Sequence, residues 1–238
     1  MIGNYIIFGD SYSTHKDYIP SEYRCYYSDE GRGPENPVTK MRAKDTWWGR
    51  MLGRDDAHLI HNNSWSGSTV GYTGYEGDCS KTNSFIYRYH MLYASGFFDA
   101  NKVDTIIVFG GTNDSWANAP LGDLQYEEWE KKDLFSVLPA LTFFMDTLKR
   151  NHPGTRIIFI ANCDIKPQII EGMRIAAERI GVEYLALHHI DKMNGHVAHT
   201  VVGRGLNGNS VRIRKFRGVV FFAGIAFARF ALTRFAVA

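Results

Sequence analysis

At 238 residues, 45% hydrophobic and 22% charged, the chain is long enough for one sizeable core and has the composition of a globular protein. Its net charge is +2, but eight of the 27 basic residues and none of the 25 acidic ones fall in residues 192–238, so residues 1–191 hold 19 against 25, a balance of −6. The body therefore offers no basic patch for nucleic acid. No stretch of 18 apolar residues exists to cross a membrane either, since Val219–Ala228 stops at Arg229.

The chain opens with Met1-Ile2-Gly3-Asn4 and runs straight into the apolar stretch Tyr5–Phe8, which reads as a buried strand. There is no basic n-region or apolar h-region, so no signal peptide is expected. Residues 12–44 form a long connection with Pro20, Gly31, Gly33, Pro34 and Pro37 and five tyrosines. A connection of that length is either a lid or substrate wall, or a surface loop with its tyrosines packed underneath. Thr46–Leu52 reads as a short, Trp-rich helix, and His58–His61 as the second strand. The glycines of "GYTGYEG", residues 71–77, match no complete phosphate loop and read as a flexible turn.

Ser84–Tyr93 carries Phe85, Tyr89, Leu92 and Tyr93 at helical spacing. Thr105–Phe109 is the third strand. Leu134–Arg150 is the clearest helix, and Pro139 moves its expected start to near Ser136. Arg156–Ala161 and Glu183–Leu187 are the last two strands. Between them Pro167–Ile180 is a helix that begins on a proline and stops before Gly181. Strands alternating with helices predict an α/β fold with a parallel sheet covered on both faces. In such sheets function gathers at the carboxyl ends of the strands.

That rule selects four segments for one rim. They are Gly9-Asp10-Ser11, "NNSWSGSTVG" at 62–71, "GGTNDSW" at 110–116 and "HHIDKMNGHVAH" at 188–199. A serine nucleophile needs a base for its proton and donors for the oxygen that becomes negative. Ser11 is the candidate nucleophile, with Ser13, Ser66 and Ser68 as rivals. Gly67, through its backbone N–H, and Asn113, through its amide, are the candidate donors. Asp10 reads as a loop-fixing acceptor and Asp114 as a brace for the Asn113 turn. Trp65 and Trp116 are candidates for a pocket wall or for the core. A Gly-x-Ser-x-Gly elbow is absent around Ser11, which disfavours the α/β-hydrolase fold.

In combination "FGDSYS", "NNSWSGSTV" and "GGTNDSW" resemble the first three blocks of the SGNH hydrolases, also called GDSL-type esterases. The resemblance covers residues 1–196. It implies a flavodoxin-like three-layer α/β/α sandwich with a parallel sheet. It also implies ester hydrolysis with Ser11 as nucleophile, Gly67 and Asn113 in the oxyanion hole, and His196 as base. No metal or organic cofactor is implied. The substrate would be a small-molecule or carbohydrate ester, with no nucleic-acid or membrane partner.

The family's final block is usually Asp-x-x-His-Pro, and here the chain departs from it. Met193 stands three residues before His196, Asp191 stands five before, and Val197 replaces the proline. Asp191 is thus a doubtful orienting group, and a backbone carbonyl could hold the imidazole instead. His188, His189 and His199 are rivals for the base. The altered block motivates an alternative reading as a binding protein of the same fold that does not turn over its ester. Residues 197–238 form a separate, atypical segment, acid-free, basic and apolar, with six Gly and Asn residues between 203 and 218. It reads as a frameshift product poorly packed on the domain, or as a genuine tail that lies on a membrane surface. Cys25, Cys79 and Cys163 are too few and too widely spaced for a disulfide framework or a zinc site. They are expected to be reduced thiols, which together with the N-terminus points to the cytoplasm.

Overall fold

The computed structural model describes residues 1–31 and 39–187. In chain order the elements are β1 (Gly3–Gly9), β2 (Ala57–Ser64), a small hairpin of β3 (Thr73–Gly74) and β4 (Gly77–Asp78), α1 (Phe85–Ala94) and α2 (Phe97–Ala100). There follow β5 (Thr105–Gly110), α3 (Thr112–Trp116), α4 (Val137–Asn151), β6 (Arg156–Ala161), α5 (Pro167–Ile180) and β7 (Glu183–Ala186). Five strands form one sheet in the order β2-β1-β5-β6-β7, and every neighbouring pair is parallel. The antiparallel β3–β4 pair stands apart.

The strand sequences explain the sheet. The runs "IIF" at 6–8 and "IIVF" at 106–109 are apolar at every position because parallel strands are buried on both faces. Alternate residues divide between two cores. Ile6, Phe8, Ile106, Val108, Ile157 and Phe159 face α1, α4 and α5. Tyr5, Ile7, Ile107, Phe109, Ile158 and Ile160 face the other way, towards Trp47, Trp48 and Met51. On that second side the predicted Thr46–Leu52 helix is replaced by two 3-10 turns, Ala43–Asp45 and Gly49–Met51. The cause is local. The Trp47 indole N–H donates to Ser13 Oγ at 3.1 Å, and that of Trp48 donates to the Ser13 carbonyl at 2.9 Å. Thr46 Oγ1 bonds back to the Ala43 carbonyl and accepts the Gly49 N–H. These side-chain bonds hold turns where a helix would need an i to i+4 ladder.

The remaining expectations hold with shifted ends. β2 runs three residues past His61 because Asn62, Asn63 and Ser64, although polar, are buried and bonded. α1 is capped by Ser84, whose hydroxyl accepts the Tyr87 N–H. α4 begins at Val137 with Pro139 in its first turn, and Leu134 sits in a preceding 3-10 turn, Asp133–Phe135. α5 ends at Gly181, which takes the left-handed conformation at φ +78°. α2 and α3 are too short for their periodicity to be read from sequence. In the long connection, Tyr12 and Tyr27 are buried, so the described part is packed beneath its own surface. Among the described residues no helix is long and apolar enough to cross a membrane. The segment 197–238 lies outside the described residues.

Candidate active site

The strand order reverses between β1 and β5. From β1 the chain passes to β2 on one side, then returns to β5 on the other. Such a switch point opens a crevice at the carboxyl ends of the two strands. Ser11 follows β1 by two residues, and Asn113 follows β5 by three. Gly67 follows β2 by three.

Hydrogen bonds tie the three segments together. The Gly9 carbonyl accepts the Trp65 N–H at 3.1 Å, the Ser68 hydroxyl at 3.4 Å and an Arg88 N–H at 3.2 Å. Asn113 Nδ2 donates to the Ser68 carbonyl at 2.8 Å. Asp114 accepts the N–H groups of Val70 and Gly71 at 3.0–3.1 Å. Asp114 was expected to brace its own turn; it instead fastens α3 to the segment that follows β2. Gly9 is required by close approach, since a Cβ there would lie 2.4 Å from the Ser13 side chain. Gly67 holds φ +85°, a left-handed value suited to glycine.

Within this frame several polar groups remain unspent. The half-buried Ser11 hydroxyl bonds to no described residue. Its carbonyl is used, accepting from the Thr14 N–H and hydroxyl. The N–H groups of Ser11 and Gly67 donate to no described residue, and Asn113 keeps one amide hydrogen. The rival serines are occupied or covered. Ser13 is held by the two tryptophans, Ser68 donates to the Trp65 carbonyl and accepts from Arg88, and Ser66 is buried with its N–H on the Arg24 carbonyl. A hydroxyl free for a base, beside free N–H donors, is suited to acyl transfer.

Asp10 is the acceptor foreseen, taking the Tyr12 N–H on Oδ1 at 3.0 Å. Its Oδ2 is buried without a hydrogen bond. Burial pushes the Asp10 carboxyl up to about 7, against the opposing Tyr12 N–H and Thr112. Nearby Asp114 raises it further, while Arg88 lowers it. Burial also raises Asp114, to about 6, although the Val70 and Gly71 N–H groups favour its charged form.

Three contributors escaped the sequence reading. Arg88 is buried and donates to the Asn63 carbonyl and side chain, to Gly9, to Ser68 and to the Asn83 carbonyl. Burial lowers its guanidinium to about 9. Asn62 donates to the Ser13 carbonyl at 2.8 Å and steadies the turn after β1. Tyr75, placed in the supposed flexible turn, donates from its phenol to Asn113 Oδ1 at 3.0 Å. Only Arg88 left a trace, as a lone charge on the apolar face of α1. Trp65 packs against Tyr23 with the rings tilted and their centroids 4.5 Å apart, and Trp116 is 44% exposed beside Tyr12. A cavity of about 390 Å³ lies elsewhere, against the outer edge of β2, lined by Tyr18, Pro20, Ile60 and His61 among others. Asp191, His196, His188, His189 and His199 lie outside the described residues. Cys79 is a buried thiol.

Comparison with known proteins agrees with this architecture. The family described as GDSL-like Lipase/Acylhydrolase matches residues 4–204. A protein of Bacteroides ovatus assigned as a GDSL-like lipase is 34% identical, with a TM-score of 0.70 over 84% of this chain and 92% of that one. One of Bacteroides uniformis, assigned likewise, is 41% identical, with a TM-score of 0.68 over 81% and 86%. A family two carbohydrate esterase of Cellvibrio japonicus is 18% identical, with a TM-score of 0.53 over 77% and 51%, a likeness of fold. No curated protein matches the chain. With the family matched over most of its length, and two solved structures above 30% identity, the chain belongs to the GDSL-like lipases and acylhydrolases and is a hydrolase of ester bonds.

Proposed function

We propose that the chain is a serine esterase that works through an acyl-enzyme on Ser11. His196 takes the hydroxyl proton as Ser11 Oγ attacks the ester carbonyl. The negative oxygen is held by the N–H groups of Ser11 and Gly67 and by Asn113 Nδ2. His196 then protonates the leaving alcohol. Water, deprotonated by the same imidazole, attacks the acyl group, releases the acid and returns the proton to Ser11. Asp191 is a secondary orienting group, because it stands five residues from His196 and a backbone carbonyl can hold the same tautomer. No step needs a metal or an organic cofactor.

The observation that carries this reading is the unbonded Ser11 hydroxyl at the switch point, flanked by segments whose N–H donors are unspent. The family match, which runs to residue 204 and so contains Asp191 and His196, supports the choice of base. Tyr75, which bonds to Asn113, and Trp116, the last residue of α3, are 54% and 44% exposed and support an acylated sugar or similar small ester as substrate. Their ring faces offer apolar area at the rim of a polar site.

The test is hydrolysis of p-nitrophenyl acetate and acetylated sugars by the wild-type, Ser11→Ala, His196→Ala and Asp191→Asn proteins. Ser11→Ala is expected to abolish turnover with an unchanged melting temperature, and Asp191→Asn to lose much less than His196→Ala. Wild-type turnover in Ser11→Ala overturns the nucleophile. No turnover by the wild-type protein on any ester favours a binding protein instead.

A further inference from the structure

Asn113 can donate to a developing oxyanion only if its amide stays the right way round, and the two ends of an amide are nearly the same shape. Here the neighbours decide. The Ser68 carbonyl accepts only, so Nδ2 must face it, at 2.8 Å. Oδ1 therefore faces the Tyr75 phenol, 3.0 Å away, and the phenol must donate. Burial, helped by the charges of Asp10 and Asp114, holds the phenol above its ordinary value, so it keeps its proton at neutral pH. Asn113 itself is only 4% exposed. With one Nδ2 hydrogen on Ser68 and Oδ1 capped by Tyr75, a single N–H is left.

Tyr75 sits at the tip of the β3–β4 hairpin, and the hairpin has a firm base. The Tyr72 N–H donates to the Leu134 carbonyl at 2.8 Å, the Thr73 hydroxyl to the Phe135 carbonyl at 2.7 Å, and the Cys79 N–H to the Tyr72 carbonyl at 2.9 Å. A residue 54% exposed thus reaches 38 positions along the chain to a buried amide. An exposed tyrosine needs no such bond for solubility or packing.

We propose that Tyr75 is a positioning residue for the oxyanion hole, fixing the Asn113 amide and sharpening its remaining N–H. Donation into Oδ1 polarises the amide and strengthens the opposite N–H, because hydrogen bonds in a chain reinforce one another. The proposal rests on the reading of Asn113 as an oxyanion donor.

A double-mutant cycle on p-nitrophenyl acetate tests both levels. Tyr75→Phe keeps the ring and removes only the donor. It is expected to lower kcat by ~10-fold, the order of one net hydrogen bond, with KM within about twofold and an unchanged melting temperature. Asn113→Ala is expected to lower kcat by ~10²-fold. The double variant should be no slower than Asn113→Ala, because the phenol acts only through the amide. Multiplying losses, a change confined to KM, or a wild-type kcat in Tyr75→Phe would each overturn the role, the second making Tyr75 a substrate wall. Should Asn113→Ala itself keep its kcat, or Ser11→Ala stay active, the esterase reading fails first and the Tyr75 role falls with it.

Discussion

From Ile6 to Phe8, and from Ile106 to Phe109, every side chain is apolar and buried. A few residues further along the same segments, Asp10, Asn113 and Asp114 are just as buried and all polar. The bodies of the strands and their carboxyl ends therefore obey different rules. In the bodies, burial stabilises by roughly 25 cal/mol per Å² and tolerates any apolar shape that fits. At the ends, each buried polar group costs free energy unless it is bonded, and the bonds fix its place. Stability should reside in the bodies and activity at the ends, and substitutions can separate the two.

The largest effect is expected in the body. Phe144 of α4 is fully buried and meets Phe8, Phe85, Tyr89 and Phe159 at centroid distances of 5.8–6.4 Å, edge to face. Phe144→Ala should destabilise the fold by about 3–5 kcal/mol, the range for truncating a core phenylalanine. Activity per folded molecule, measured well below the new melting temperature, should stay near wild type. A large fall in kcat in the folded variant would break the separation, since it would mean that the aromatic cluster sets the geometry of Ser11 through Phe8.

Arg88 tests the border between the two regions. It lies on α1 within the apolar layer but spends its donors on Gly9, Asn63 and Ser68 at the strand ends. Arg88→Met keeps much of the volume and removes a buried donor from each of those acceptors. The expected cost is about 2–4 kcal/mol, below that of a full core cavity because the desolvated charge goes as well. Unlike Phe144→Ala, it should also lower kcat in the folded protein, because Gly9 and Ser68 border Ser11 and Gly67, the proposed nucleophile and oxyanion donor. A stability loss with unchanged kcat would place Arg88 wholly with the strand bodies.

The same division explains what the sequence discloses. Apolar runs at β1, β5 and β6 and the stripe on α4 are visible because the body of a parallel sheet needs uniform hydrophobicity. Ser11, Gly67 and Asn113 stand out as candidates because three short blocks follow three strands in order. The polar half of β2 is not visible, since "NNS" has the composition of a loop and becomes a strand only when Arg88 and Ser13 bond it from other parts of the chain. Tyr75 is hidden for a similar reason. Its glycine-rich surroundings read as a turn, and its partner is 38 residues away. Long-range polar pairs leave no periodicity, so the groups that position the site are the ones a single sequence conceals.

The smallest effect concerns the least satisfied group at the strand ends. Asp10 accepts one N–H on Oδ1, and its buried Oδ2 has no hydrogen bond. Burial raises its carboxyl to about 7 in the folded protein, against about 3.9 in an unfolded chain. Between those values the fold holds a proton that the unfolded chain has released. Asp10 therefore contributes stability that is present at low pH and lost as the pH climbs through the window of about 4 to 7. Asp10→Asn keeps an acceptor for the Tyr12 N–H and never ionises, so it lacks that loss. Chemical denaturation of both proteins at pH 5 and pH 8 should show the stability difference shifting in favour of Asn by about 2 kcal/mol at the higher pH, an order-of-magnitude figure from the remaining window. The other carboxylates are common to both proteins and largely cancel from the difference. A difference constant with pH would mean that Asp10 ionises at an ordinary carboxylate value, with water or a donor reaching Oδ2. The strand ends would then be wetter, and less like the strand bodies, than their burial indicates.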